Sequence, residues 1–100
     1  MPLTDRIRFL ENFFMYFLYI LRCADETLYT GITVDLERRV REHNSSSLGA
    51  KYTRGRRPVE VVYSQKFETR SAASKAESRI KTLSRSEKMK LISLSRKTSV

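Results

Sequence analysis

The chain has 100 residues, enough for one domain built on a single modest core. Twenty Lys and Arg against eleven Asp and Glu leave a formal net charge of +9, so a polyanion is the natural partner: each cation placed on a phosphate releases a condensed counterion. Nucleic acid leads and an anionic membrane surface comes second, while one Cys and one His exclude an intramolecular disulfide framework and a zinc cluster.

Residues 1 to 14 have mixed polarity without a clear period and read as an extension ahead of a domain over residues 15 to 95. The apolar run from Phe13 to Leu21 is about half the length needed to span a bilayer. Arg6 and Arg8 ahead of it give a signal-peptide look, but the run is aromatic and continues into a hairpin. The expectation is a cytoplasmic protein without a membrane partner.

From Tyr16 to Cys23 the β-branched and aromatic content predicts a strand, with Phe17, Tyr19 and Leu21 on one face and Leu18 and Ile20 on the other. Ala24-Asp25-Glu26 has hairpin length, and Thr27 to Ile32 is the return strand. Tyr19 and Tyr29 therefore stand on adjacent antiparallel strands. Thr33 or Asp35 can cap a helix running to about His43, followed by a loop signal at Asn44 to Ser47. The stretch from Asn44 to Pro58 shows neither period, and Val59 to Gln65 reads as a third strand.

Helical spacing returns from Thr69 through Ala72, Ala73, Ala76, Ile80 and Leu83. Ser84-Arg85-Ser86-Glu87 matches a capping box, which starts a last helix carrying Met89, Ile92 and Leu91 inward. Residues 96 to 100 should fray. The order β-β-α-β-α-α predicts an α/β chain of the α+β type: a three-stranded antiparallel sheet flanked by helices.

Several charges stand where apolar residues belong. On the first helix Leu36, Arg39, Val40 and His43 share a stripe, so Arg39 and His43 border the face that should be buried. On the next, Glu77 interrupts the stripe of Ala73, Ala76, Ile80 and Leu83. An unpaired buried charge is very costly, so Glu77 needs a partner. Either it pairs structurally with Arg39, or it holds a hard divalent cation, Mg²⁺ or Mn²⁺, beside a phosphate bound by Arg39. In the basic stretch, Lys51, Arg54, Arg56 and Arg57 with Tyr52 between them suit a nucleic-acid strand, guanidinium to phosphate and ring to base. Nothing there looks like a base-reading helix, which predicts weak sequence preference and strong salt sensitivity.

From about Met15 to Ile92 the chain resembles the GIY-YIG nuclease domain, most closely its small single-domain bacterial members. Phe17-Leu18-Tyr19 stands where the family has Gly-Ile-Tyr and retains the tyrosine. Tyr29-Thr30-Gly31 keeps the tyrosine and glycine of the second motif. Asp35-Leu36 and Arg39 follow at the spacing of the family's arginine, His43 stands where members carry His or Tyr, and Glu77 where the metal-binding glutamate lies. The stretch Ala50 to Pro58 is similar to the small-protein subgroup. In one departure, many repair members place lysine directly after the second glycine, and here that position is Ile32.

The resemblance implies metal-dependent phosphodiester hydrolysis in DNA, structure- or damage-directed. Glu77 would hold the metal, Arg39 would neutralise charge at phosphorus, and Tyr19, Tyr29 and His43 are candidates for deprotonating or orienting water. Nearby cations, Arg39 included, would lower a phenol's pKa. The phosphate contact missing at Ile32 would fall to Arg22 or Lys51. The competing expectation is a nucleic-acid-binding module that keeps the fold with little or no cleavage, with RNA as a further ligand. A chain this short leaves selectivity to the domain itself, a homodimer or a repair partner.

Overall fold

A computed structural model describes residues 15 to 98; the extension read over 1 to 14 lies outside the described residues, as do 99 and 100. Strands β1 (Tyr16–Arg22), β2 (Leu28–Thr33) and β3 (Glu60–Phe67) form one antiparallel sheet in the order β2-β1-β3. Helices α1 (Leu36–Ser45) and α2 (Lys51–Arg54) lie between β2 and β3 in the chain, and α3 (Arg70–Lys81) and α4 (Arg85–Thr98) follow.

The central strand organises the core because its alternation is apolar on both faces. Leu18 and Ile20 pack with Val62, Ala76, Ile80 and Ile92, under α3 and α4. Tyr19 and Leu21 pack on the other side with Cys23 and Val59, beside Tyr29 and with Leu36 and Val40 of α1. Burying such side chains stabilises by about 1.5–3 kcal/mol each, which fixes the register, since a slip by one residue would exchange the faces. Cys23 is a small buried thiol at the end of β1.

The helix starts follow local chemistry. Asp35 caps α1 by accepting from the Arg38 amide at 3.1 Å, and Thr69 caps α3 by accepting from the Ala72 amide at 3.1 Å. Ser84 and Glu87 close the capping box reciprocally, at 3.0 and 3.1 Å. Of the residues expected inward on α4, Ile92 is buried and Leu91 partly so, but Met89 is exposed. The order is β-β-α-α-β-α-α: one helix, α2, stands in the stretch read as having no period. It is a single turn whose inward residue is Thr53, so no apolar spacing announces it.

Candidate active site

Tyr19, at the middle of β1, pairs with Gly31 across the ladder. The phenol lies over that glycine: a Cβ there would sit 2.6 Å from the Tyr19 hydroxyl and 2.8 Å from Cζ. Gly31 is thus required for close approach rather than for a turn; its φ is not positive. The Tyr29 ring, two residues earlier on the same face of β2, is 6.3 Å from that of Tyr19.

Capping at Asp35 sets the phase of α1 so that Arg39 and His43, one turn apart, face this pair. His43 is fully buried, with its ring 5.9 Å from Tyr19 and 5.2 Å from Tyr29. The Tyr19 hydroxyl is 2.9 Å from His43 Nε2, and His43 Nδ1 is 3.0 Å from Thr53 Oγ1. Arg39 donates through Nη1 to Glu42 Oε1 and to the Leu48 carbonyl, both at 2.8 Å, which holds its guanidinium beside the Tyr19 hydroxyl. The structural pairing considered for Arg39 with Glu77 is not the one found: Arg39 pairs with Glu42, and Glu77 pairs with Lys81 at 3.5 Å. An i,i+3 and an i,i+4 neighbour are reached without bringing two helices together.

Burial, then the Tyr29 phenol, push Tyr19 up to about 12 despite the opposing pull of Arg39; Glu77 adds a smaller upward push. The expected lowering by Arg39 is therefore present but outweighed. Burial and then Arg39 push His43 down to about 4. At neutral pH the pair is a neutral phenol on a neutral imidazole.

Glu77 follows the buried Ala76 on α3, within electrostatic reach of Tyr19, with its side chain 22 % exposed. Among the described residues no group of three or more His, Cys, Asp or Glu could hold a metal ion. One half-buried carboxylate in reach of solvent, with only a loose lysine contact, fits Mg²⁺, which keeps several waters and completes its shell with phosphate oxygens.

The basic stretch divides by task. Arg57 donates from Nε to the His43 carbonyl and from Nη2 to those of Glu42 and Ser46, closing the end of α1. Arg56 lies 4.1 Å over the Tyr52 ring and faces Asp25 at 3.1 Å, and Tyr52 in turn stacks on Tyr29 at 5.9 Å. Arg54 donates to the Ser47 carbonyl at 2.7 Å while remaining exposed, and Lys51 is exposed. Arg22 is ion-paired with Glu60, and Ile32 packs on the Leu18 side of the core.

A convergent Tyr-Tyr-Arg-His cluster, with a glutamate arriving from a later helix, is matched by sequence comparison: residues 15–91 fit the GIY-YIG catalytic domain. The chain belongs to the GIY-YIG family. A UPF0213 protein of Natronomonas pharaonis is 54% identical over 77 residues, covering 77% of this chain and 89% of that one. A UPF0213 protein of Desulfotalea psychrophila is 55% identical over 82 residues, covering 82% and 74%. The solution structure of a UPF0213 protein from Bacillus halodurans superposes with a TM-score of 0.53 at 44% identity, over 80% of this chain and 84% of the other. That of an E. faecalis protein gives 0.58 at 42% identity, over 82% and 86%. The resemblance to small bacterial GIY-YIG proteins thus extends to archaeal relatives.

Of the residues named from sequence, Tyr19, Tyr29, Arg39 and His43 meet at this site, and Glu77 lies within electrostatic reach of Tyr19. Sequence reasoning missed Thr53, whose hydroxyl faces His43, and the Leu48 carbonyl that seats Arg39. Neither carries a spacing signal, because both partners are set by the loop's return onto α1. Gly49 permits that return, for a Cβ there would meet the Glu42 carbonyl oxygen at 2.6 Å.

Proposed function

We propose that this GIY-YIG domain is a metal-dependent DNA endonuclease, structure- or damage-directed, that hydrolyses phosphodiester bonds with weak sequence preference. The observation that carries the reading is the 2.9 Å contact between the Tyr19 hydroxyl and a buried, neutral His43, beside Arg39.

Tyr19, rather than Tyr29, handles the water, because Tyr19 is the phenol that meets His43. A phenol near 12 holds no standing negative charge at pH 7, so it works in its neutral form. Its oxygen accepts a hydrogen bond from the attacking water while its own proton points at His43 Nε2. As the water oxygen bonds to phosphorus, the water proton passes to the Tyr19 oxygen and the Tyr19 proton to Nε2, while the bond from phosphorus to the 3′ oxygen breaks and that oxygen leaves to take a proton from solvent. Arg39, always protonated and fixed by Glu42 and Leu48, neutralises the charge that builds on the non-bridging oxygens. Tyr29 and His43 pack the Tyr19 ring in place.

Glu77 would hold Mg²⁺ or Mn²⁺. When bound, the ion would polarise a phosphate oxygen and stabilise the leaving 3′ oxygen. Lys51 and Arg54 would follow the DNA backbone, and Lys51 takes over the contact absent at Ile32 because Arg22 is paired with Glu60. Tyr52, already stacked on Tyr29, links this strand path to the reacting group.

The test is incubation of the purified chain with branched, nicked and single-stranded DNA, with and without Mg²⁺, beside Glu77→Ala. Products should require both the metal and Glu77. DNA binding that survives the substitution, without products at any enzyme concentration, would replace the enzyme with a binding module, and an RNA competition series in the same experiment would identify its preferred ligand.

A further inference from the structure

We infer that Thr53 is a positioning residue that sets the tautomer of His43, placing the ring proton on Nδ1 and leaving Nε2 free to accept from Tyr19.

Thr53 is fully buried, on the single turn α2, and a hydroxyl has one proton to give. That proton is committed to the Ala50 carbonyl, 2.9 Å from Thr53 Oγ1. Toward His43 Nδ1, at 3.0 Å, the oxygen therefore presents a lone pair, and Nδ1 must carry the hydrogen. The rival donor to Nδ1 is the Ala50 amide at 3.4 Å, at the outer limit of a hydrogen bond and longer than the Thr53 contact. With hydrogen on Nδ1, Nε2 has a bare lone pair 2.9 Å from the Tyr19 hydroxyl, which must donate. One directed chain results: Tyr19 to His43 to Thr53 to the Ala50 carbonyl.

The orientation matters because the second ring nitrogen's partner decides which nitrogen is protonated. A neutral imidazole in water favours the hydrogen on Nε2. In this site that form would donate to the Tyr19 oxygen and take Nε2 away as the acceptor of the phenol proton. Thr53 thus selects the tautomer that the proposed proton transfer needs. The kinetic consequence rests on the nuclease reading; the tautomer does not.

His43 is the chain's one histidine, so imidazole ¹⁵N shifts of the labelled full chain at pH 7.5 report on it alone. The wild-type spectrum should show protonated Nδ1 and bare Nε2. Thr53→Ser should keep that pattern, and Thr53→Val should move the ring toward protonated Nε2. In single-turnover cleavage with Mg²⁺, Thr53→Val should lose about a hundredfold or more in rate with DNA affinity unchanged, and Thr53→Ser should restore most of it. A wild-type ring protonated on Nε2, or one that keeps its Nδ1 proton in Thr53→Val, overturns the inference. Absence of cleavage by the wild type would sink the nuclease reading while the ¹⁵N spectra still decided the tautomer.

Discussion

Gly31 and Tyr19 face each other across the β1–β2 ladder so closely that the phenol occupies the space a Gly31 side chain would fill. Cζ as well as the hydroxyl is in the way, so swinging the hydroxyl aside does not relieve the clash. Gly31→Ala should displace the whole Tyr19 ring, destabilise the fold by about 1–3 kcal/mol, and reduce cleavage beyond what lost stability explains. Urea denaturation and single-turnover rates at a temperature where the variant stays folded would check this. Wild-type stability together with wild-type cleavage would mean that the ring has room to spare.

Acid should weaken the fold through His43. Its ordinary value of 6.5 falls to about 4 in the native state, so between those values the unfolded chain binds a proton that the folded chain refuses. Stability is therefore complete above pH 6.5 and lost as pH falls toward 4, by on the order of 2–3 kcal/mol. Asp25, held low by the Thr27 hydroxyl, and Glu87, held low by the Ser84 amide, add their losses below about pH 4.5, outside most of this window. Urea midpoints measured from pH 7 to 4.5 should fall for the wild type and stay nearly flat for His43→Gln. Equal slopes would assign the effect to other groups.

Within the basic stretch, stability and DNA affinity should separate by residue. Arg57→Met removes the donors that close α1 and should cost about 1–3 kcal/mol, because three carbonyl groups lose their partner together. Lys51→Ala should leave the urea midpoint unchanged, weaken DNA binding, and lower the slope of log affinity against log salt by about one. Paired denaturation and salt-titration series measure both. A Lys51→Ala slope equal to that of the wild type would remove Lys51 from the DNA path.

The features legible in the sequence were those with a local cause. Alternation along residues 16 to 23 gave both faces of β1; the Ser84–Glu87 box started α4 as its pattern predicted, Asp35 rather than Thr33 capped α1, and the helical spacing from Thr69 marked the start of α3, where Thr69 proved to be the cap. Arg39 and His43 were conspicuous because a buried stripe does not tolerate them without partners. The partners themselves were not legible. Thr53, the Leu48 carbonyl and the Tyr29–Tyr52–Arg56–Asp25 chain of contacts depend on how residues 46 to 58 fold back, a path set by Gly49 and Arg57 without any period. The phenol's direction of shift was hidden for the same reason: cations near Tyr19 could be inferred, but the burial that outweighs Arg39 could not.

The most direct test of the account compares Tyr19→Phe with Tyr29→Phe in single-turnover cleavage of a DNA substrate with Mg²⁺. Removing one oxygen from Tyr19 leaves the ring packed and takes away the group that meets His43. The rate should fall by about 10²–10⁴ for Tyr19→Phe with DNA affinity intact, and far less for Tyr29→Phe. A Tyr19→Phe protein that cuts as fast as the wild type would contradict the assignment of the water's proton to Tyr19 and His43.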